Sequence, residues 1–157
     1  MFIRKGRGLA LRDGLAQAHG AESASHSPEE AKRAVHSAAP AFRHVAADFV
    51  GVPYTQLTDA AMLSGLLIAS AGAAGFTAIR APVVHRLPSD GVAAVLLLDG
   101  CHVTVHTFPE RELLLLDILA LSTHEPRKAL DVFARRLTAR AVHSEVRDRG
   151  GAPAARR

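Results

Sequence analysis

The sequence contains no tryptophan and a single tyrosine, and aromatic residues make up only 4% of its 157 positions. Its core must therefore be aliphatic, and a hydrophobic share of 48% is ample for one. A single cysteine, Cys101, excludes an internal disulfide and an all-cysteine metal site, and fits a reducing compartment. No apolar run approaches the ~18 residues of a membrane span. Leu9-Ala10-Leu11, after Arg4, Lys5 and Arg7, is too short for the apolar region of a signal peptide. These absences read as a cytoplasmic, soluble chain of one domain with no membrane partner.

The excess of positive charge is confined to the ends. The net charge is +4, yet residues 43–142 hold nine Lys/Arg and nine Asp/Glu. Residues 1–42 contribute six basic against four acidic side chains, and residues 143–157 four against two. A neutral centre without basic–aromatic interleaving excludes a nucleic-acid reader as the main function.

Residues 1–42 are rich in Ala, Ser, Gly, His and charge, and read as a mobile basic extension, with a short helix opening at Pro28. Residues 143–157 read as a basic disordered tail. Between them, Arg43 to Val50 reads as a strand. Thr58 or Asp59 caps a helix to about Ala74, with Leu63, Leu66, Leu67, Ala71 and Ala74 as its buried stripe and Gly75 as its stop. Thr77 to Leu87 reads as a second strand, at an edge or with a bulge, since Pro82 removes a ladder donor. Val92 to Leu98 is the next strand, and the nearly continuous apolar run Leu113 to Leu119 suits a strand covered on both faces. Pro126 opens a last helix, with Leu130, Phe133, Leu137 and Ala141 on one face. The order β-α-β-β-β-β-α predicts an α+β two-layer sandwich, a largely antiparallel sheet with helices on one face. Its bare face predicts a homodimer.

The most informative stretch is Asp99 to Glu110. Asp99-Gly100 is a hairpin signal, because glycine accepts positive φ at little cost. The strand that follows places Val103 and Val105 on one face and His102, Thr104 and His106 on the other. His102 and His106 are four residues apart, about 13 Å along a strand, too far to share one zinc ion. Cys101 points to the opposite face, so no metal site is expected here. Taken alone, Cys101 is either a nucleophile or a small buried hydrophobe. His106 is either a reacting group or a hydrogen-bonded core histidine, and His102 reads as structural.

Gly100 to Glu110 resembles the signature Glu-Ser-His-(Ile/Leu)-(Ser/Ala)-Ile-His-Thr-Trp-Pro-Glu of the bacterial S-adenosylmethionine decarboxylase proenzymes. His102, Val103, Thr104, Val105, His106, Thr107, Pro109 and Glu110 are identical or nearly so, with Phe108 for Trp. Arg43-His44, Asp48 to Gly51, Val84-His85 and Gly91-Val92 extend the likeness over residues 43–142. The resemblance implies a homodimer of this α+β fold that cleaves itself at Gly100-Cys101. Residue 101 then becomes a pyruvoyl cofactor, which captures the substrate amine as a Schiff base and draws off the electrons released with the carboxylate. It also implies a small-molecule substrate, S-adenosylmethionine or another amino acid, and a place in polyamine biosynthesis. By position, Cys101 and His106 become the catalytic residues, with Leu87, Phe108 and Glu110 around the substrate.

The chain departs from the pattern at the precursor residue and at several others. Cys101 stands for the family's Ser, and Gly100 for the Glu before the cleaved bond. Ala93 replaces a Ser that helps processing, and Leu121 replaces the Cys that donates a proton. Leu87 and Phe108 fall where two aromatics sandwich adenine. The alternatives are an unprocessed homologue that binds a nucleoside or a partner, and a cysteine enzyme that uses intact Cys101.

Overall fold

A computed structural model describes residues 41–151, so the expected extension over residues 1–40, including its helix from Pro28, and the last six residues lie outside the described part. Six strands form one sheet in the order β2-β3-β4-β5-β1-β6, every neighbouring pair antiparallel. They are β1 (Phe42–Val50), β2 (Val83–Arg86), β3 (Val92–Leu98), β4 (Cys101–Phe108), β5 (Leu113–Leu121) and β6 (Ala141–Arg149). The helices are α1 (Tyr54–Leu57), α2 (Ala60–Ala74) and α3 (Pro126–Arg136). This is the expected α+β architecture, with one strand more than the sequence reading gave.

Period-two alternation decides what each strand buries. Val45, Ala47 and Phe49 of β1, Val103 and Val105 of β4, and Leu114, Leu116, Ile118 and Ala120 of β5 are all buried. They meet Leu63, Leu67 and Ala71 of α2 and Ala129, Leu130 and Phe133 of α3 in one aliphatic cluster. The rings of Phe49 and Phe133 meet at 6.4 Å. Asp59 accepts the Met62 N–H at 2.9 Å to cap α2, and Gly75 ends it at φ 73°, a conformation glycine adopts without strain.

Four expectations need correction. The segment from residue 143 is not a tail: Ala141–Arg149 is an edge strand paired with β1 through Val146↔Val45. Its burial is shallow because its outward side chains are mostly polar, which is why alternation did not mark it. Strand β5 is covered on one face only, since Leu113, Leu115, Leu119 and Leu121 alternate with buried neighbours and are themselves only half-buried. The second strand is only Val83–Arg86, with a single bridge at Ala78↔Leu98 before it. Ala141 begins β6 and does not extend the helix.

The helices cover one face of the sheet and leave the other open. That open face carries Val83 and His85, then Ala93, Val95 and Leu97, then the half-buried leucines of β5. Leu97 is 41% exposed and Val83 54%. Among the described residues no helix is long and apolar enough to cross a membrane.

Candidate active site

The hairpin β3–β4 is the frame of the site. Leu98 pairs with Cys101, so Asp99 and Gly100 alone make the turn, Gly100 at φ 73°. A side chain at Gly100 would meet no atom within 4 Å, and Gly100 is exposed while Cys101 is buried. Cys101 then enters β4 with its side chain in the helix-covered layer, where its sulfur accepts the Leu121 N–H at 3.1 Å. Burial pushes the thiol pKa up; the Leu121 hydrogen bond opposes this, and the Asp99 carboxylate adds to it.

His106 lies elsewhere. It faces the open side of the sheet, paired with Ala93 on one flank and Leu115 on the other. Since His85 also pairs with Ala93, two imidazoles stand in one row with a methyl group between them. With Thr104 they line an apolar groove of about 300 Å³. Cys101 and His106 are five residues apart, about 16 Å along the strand, and their side chains leave opposite faces.

The three expected substrate residues gather at the far end of β4. Phe108 closes the strand, half-buried, with the Arg111 guanidinium 6.0 Å from its ring centre. Glu110 is exposed and lies 4.0 Å from Arg111. Leu87 caps the short turn Pro88–Asp90, and its Cβ packs against Gly91. Gly91 is required there, because a Cβ would lie 2.6 Å from the Thr107 carbonyl oxygen. Buried Thr107 ties this end together: its hydroxyl accepts the Val92 N–H at 2.7 Å and donates to the Leu57 carbonyl at 2.8 Å. Tyr54 donates to Asp90 at 2.8 Å across the same turn, and that bond raises its phenol pKa.

The expected site residues thus fall into two groups along β4. One holds Gly100, Cys101 and Leu121; the other holds Leu87, His106, Phe108 and Glu110. From Cys101 to Phe108 is about 23 Å along β4. Cys101 and His106 lie on opposite faces of β4, as the alternation in the sequence predicts, and do not meet within one chain. Among the described residues no cluster of three His, Cys, Asp or Glu is arranged to hold a metal ion.

Sequence reasoning also missed His124. The turn after β5 brings it to the pocket that Cys101 lines, together with Phe76 and Asp99. Nothing in the spacing of His124 from Cys101 signals this, because the contact depends on how β4 and β5 pair.

The donor set at the turn fits a group derived from residue 101. Gly100 is exposed, the Cys101 sulfur is one residue away by covalent structure, and the Leu121 N–H donates to that sulfur.

Comparisons with known proteins converge on one family. Residues 43–150 match the family model described as S-adenosylmethionine decarboxylase. The chain is 28% identical over 111 residues to the S-adenosylmethionine decarboxylase proenzyme of Geobacillus sp. (strain WCH70), covering 71% of this chain and 89% of that one. It is 36% identical over 90 residues to the proenzyme of the same name from Brevibacillus brevis, covering 57% and 67%. The crystal structure of the adenosylmethionine decarboxylase from Aquifex aeolicus shares the fold, with a TM-score of 0.65 at 24% identity over 72% of this chain and 93% of that one.

Proposed function

We propose that this chain, which belongs to the S-adenosylmethionine decarboxylase family, is a proenzyme that cuts its own Gly100-Cys101 bond and then decarboxylates S-adenosylmethionine or a closely related amino acid. The observation that carries this reading is the placement of Cys101: first residue of β4, directly after an exposed two-residue turn, inside the segment that matches the family.

The Cys101 thiolate attacks the Gly100 carbonyl carbon, and the peptide C–N bond gives way to a thioester. The Leu121 N–H holds the sulfur in the layer beneath the turn. β-Elimination that releases the sulfur as a Gly100 thiocarboxylate, followed by addition of water and loss of ammonia, would leave a pyruvoyl group on residue 101, which would supply the electron sink that loss of a carboxylate needs. Leu87 and Phe108 offer apolar area to the substrate's ring system, and Glu110 offers a carboxylate to its hydroxyl groups. The compartment is the cytoplasm and the setting polyamine synthesis.

The working unit is a homodimer joined through the open sheet faces. Half-exposed Leu97 and Val83 and the outward leucines of β5 give that face the apolar character a second copy would cover. Two-fold packing would set the exposed Gly100-Cys101 turn of one chain beside the His106 end of the other, with the Cys101 sulfur itself on the helix-covered side. His106 of the second copy then serves the proton transfers that follow thioester formation.

Denaturing mass spectrometry of the chain, held for days at neutral pH, tests the reading. Fragments of 100 and 57 residues are expected from the position of Cys101 in the 157-residue sequence. An undivided chain sinks the decarboxylase. It would leave the second reading, an intact homologue that binds a nucleoside, which Leu121 in the donor position favours.

A further inference from the structure

The thiol that must attack Gly100 is buried, and its environment opposes ionisation. A free cysteine is already only a few per cent thiolate at pH 7, so Cys101 needs a base within reach. His106 is not available to it in its own chain. The pocket under the turn is. It measures about 120 Å³, enough for a few water molecules, and His124 and Asp99 are its titratable groups besides Cys101 itself.

His124 is held in place by its neighbours. Its backbone N–H donates to the Leu121 carbonyl at 3.0 Å, and Leu121 is the residue whose own N–H reaches the sulfur. Its ring lies 5.3 Å from that of Phe76, tilted by 54°. Its Nδ1 is 3.3 Å from the Thr123 hydroxyl. When Nδ1–H donates to Thr123, Nε2 is left as the proton acceptor.

We infer that His124 is the general base for Cys101, taking the thiol proton through pocket water and returning it to the departing backbone nitrogen. The balance is simple. The Sγ–H proton passes to Nε2, sulfur bonds to the Gly100 carbonyl carbon, the C–N bond breaks, and the imidazolium proton ends on the new Cys101 amine. No oxidant, reductant or metal takes part. As a route to cleavage this rests on the proposed self-processing. As an activator of the thiol it stands without it.

Cys101 is the sole cysteine, so alkylation reports on it alone. Iodoacetamide labelling of the undivided chain, read by intact mass from pH 5.5 to 10, is compared in wild type, His124→Ala and His143→Gln, the last an exposed histidine on edge strand β6. Cleaved chains have lost the thiol and drop out of the measurement. At pH 7 His124→Ala is expected to label about tenfold more slowly or worse, with the rate recovering only toward alkaline pH as the raised thiol ionises. His143→Gln should follow wild type. Imidazole added to His124→Ala should restore the neutral-pH rate, which a merely structural loss would not allow. Superimposable profiles for wild type and His124→Ala overturn the assignment, and so does a slow variant that imidazole fails to rescue. A wild-type chain that never divides defeats the self-cleavage reading and leaves these profiles to decide His124 separately.

Discussion

Cys101 and His106 stand on opposite faces of strand β4, five residues and about 16 Å apart. Both fall within the segment matched to the family, yet no rotamer brings the two side chains together in one chain. If both serve one reaction, the reaction belongs to a pair of chains.

Complementation tests that arrangement. Cys101→Ala removes the nucleophile and His106→Gln the later proton carrier, so each variant alone should remain undivided. Co-expressed, a mixed pair joins the Cys101 of one chain to the His106 of the other. Cleavage of the His106→Gln chain, and of that chain only, is expected in the mixture by mass spectrometry. No cleavage in the mixture, from a wild type that does cleave, would place the two residues in separate functions.

Thr107 gives a stability prediction. Its buried hydroxyl satisfies the Val92 N–H and the Leu57 carbonyl at once, joining β4 to β3 and to helix α1. Thr107→Val keeps the shape and orphans both groups, at a cost of about 1–3 kcal/mol. Thr107→Ser keeps the hydroxyl and should lose less. Urea denaturation monitored by circular dichroism distinguishes the two, and equal midpoints for both variants would show that the hydroxyl carries none of this stability.

Leu87 bears on the substrate. It sits across Gly91 from the strand that ends in Phe108, so a ring at position 87 would supply a second π face beside it. Leu87→Phe should tighten S-adenosylmethionine binding by about two- to tenfold, the equivalent of roughly 0.5–1.5 kcal/mol of stacking. Calorimetric titration measures it. An unchanged affinity would mean that the ring system of the true ligand does not lie here.

Much of this was legible in the sequence, and the reasons are local. Asp99-Gly100 followed by alternation from Cys101 gave the hairpin, because turn chemistry and side-chain period are properties of adjacent residues. The same alternation placed Cys101 and His106 on opposite faces before any coordinates. Strand β6 escaped, because an edge strand with Glu145, Arg147 and Asp148 in it has little burial contrast to betray it. The run Leu113 to Leu119 misled, because leucines on an open sheet face look the same in sequence as leucines under a helix. His124 escaped because its neighbours Cys101 and Phe76 are fixed by strand register and by the end of α2, which lie far off in sequence.

Leu121 poses the last question. Its side chain is half-buried and alternates away from buried Ala120, while its N–H is spent on the Cys101 sulfur. When a substrate loses its carboxylate, the carbon left behind must take a proton. A donor placed at that carbon raises the rate by about 10²–10⁴ in typical cases. Leu121 has no proton to give, and Ser122, next to it, follows the end of the strand. Turnover of S-adenosylmethionine should therefore be limited by protonation in the cleaved wild type. Leu121→Cys, which keeps the backbone N–H and adds a thiol, should raise carbon dioxide release by about tenfold or more. It should also lengthen the time over which the enzyme stays active, since a carbanion equivalent protonated promptly at carbon has less opportunity to react with the catalytic group. Both are read in one assay, radiolabelled carbon dioxide followed to exhaustion of activity. If the substitution changes neither rate nor lifetime in a protein that does cleave, another group supplies the proton. His124→Gln in the Leu121→Cys background then shows whether that group is His124: a collapse of turnover per cleaved chain in His124→Gln alone that Leu121→Cys repairs would identify it.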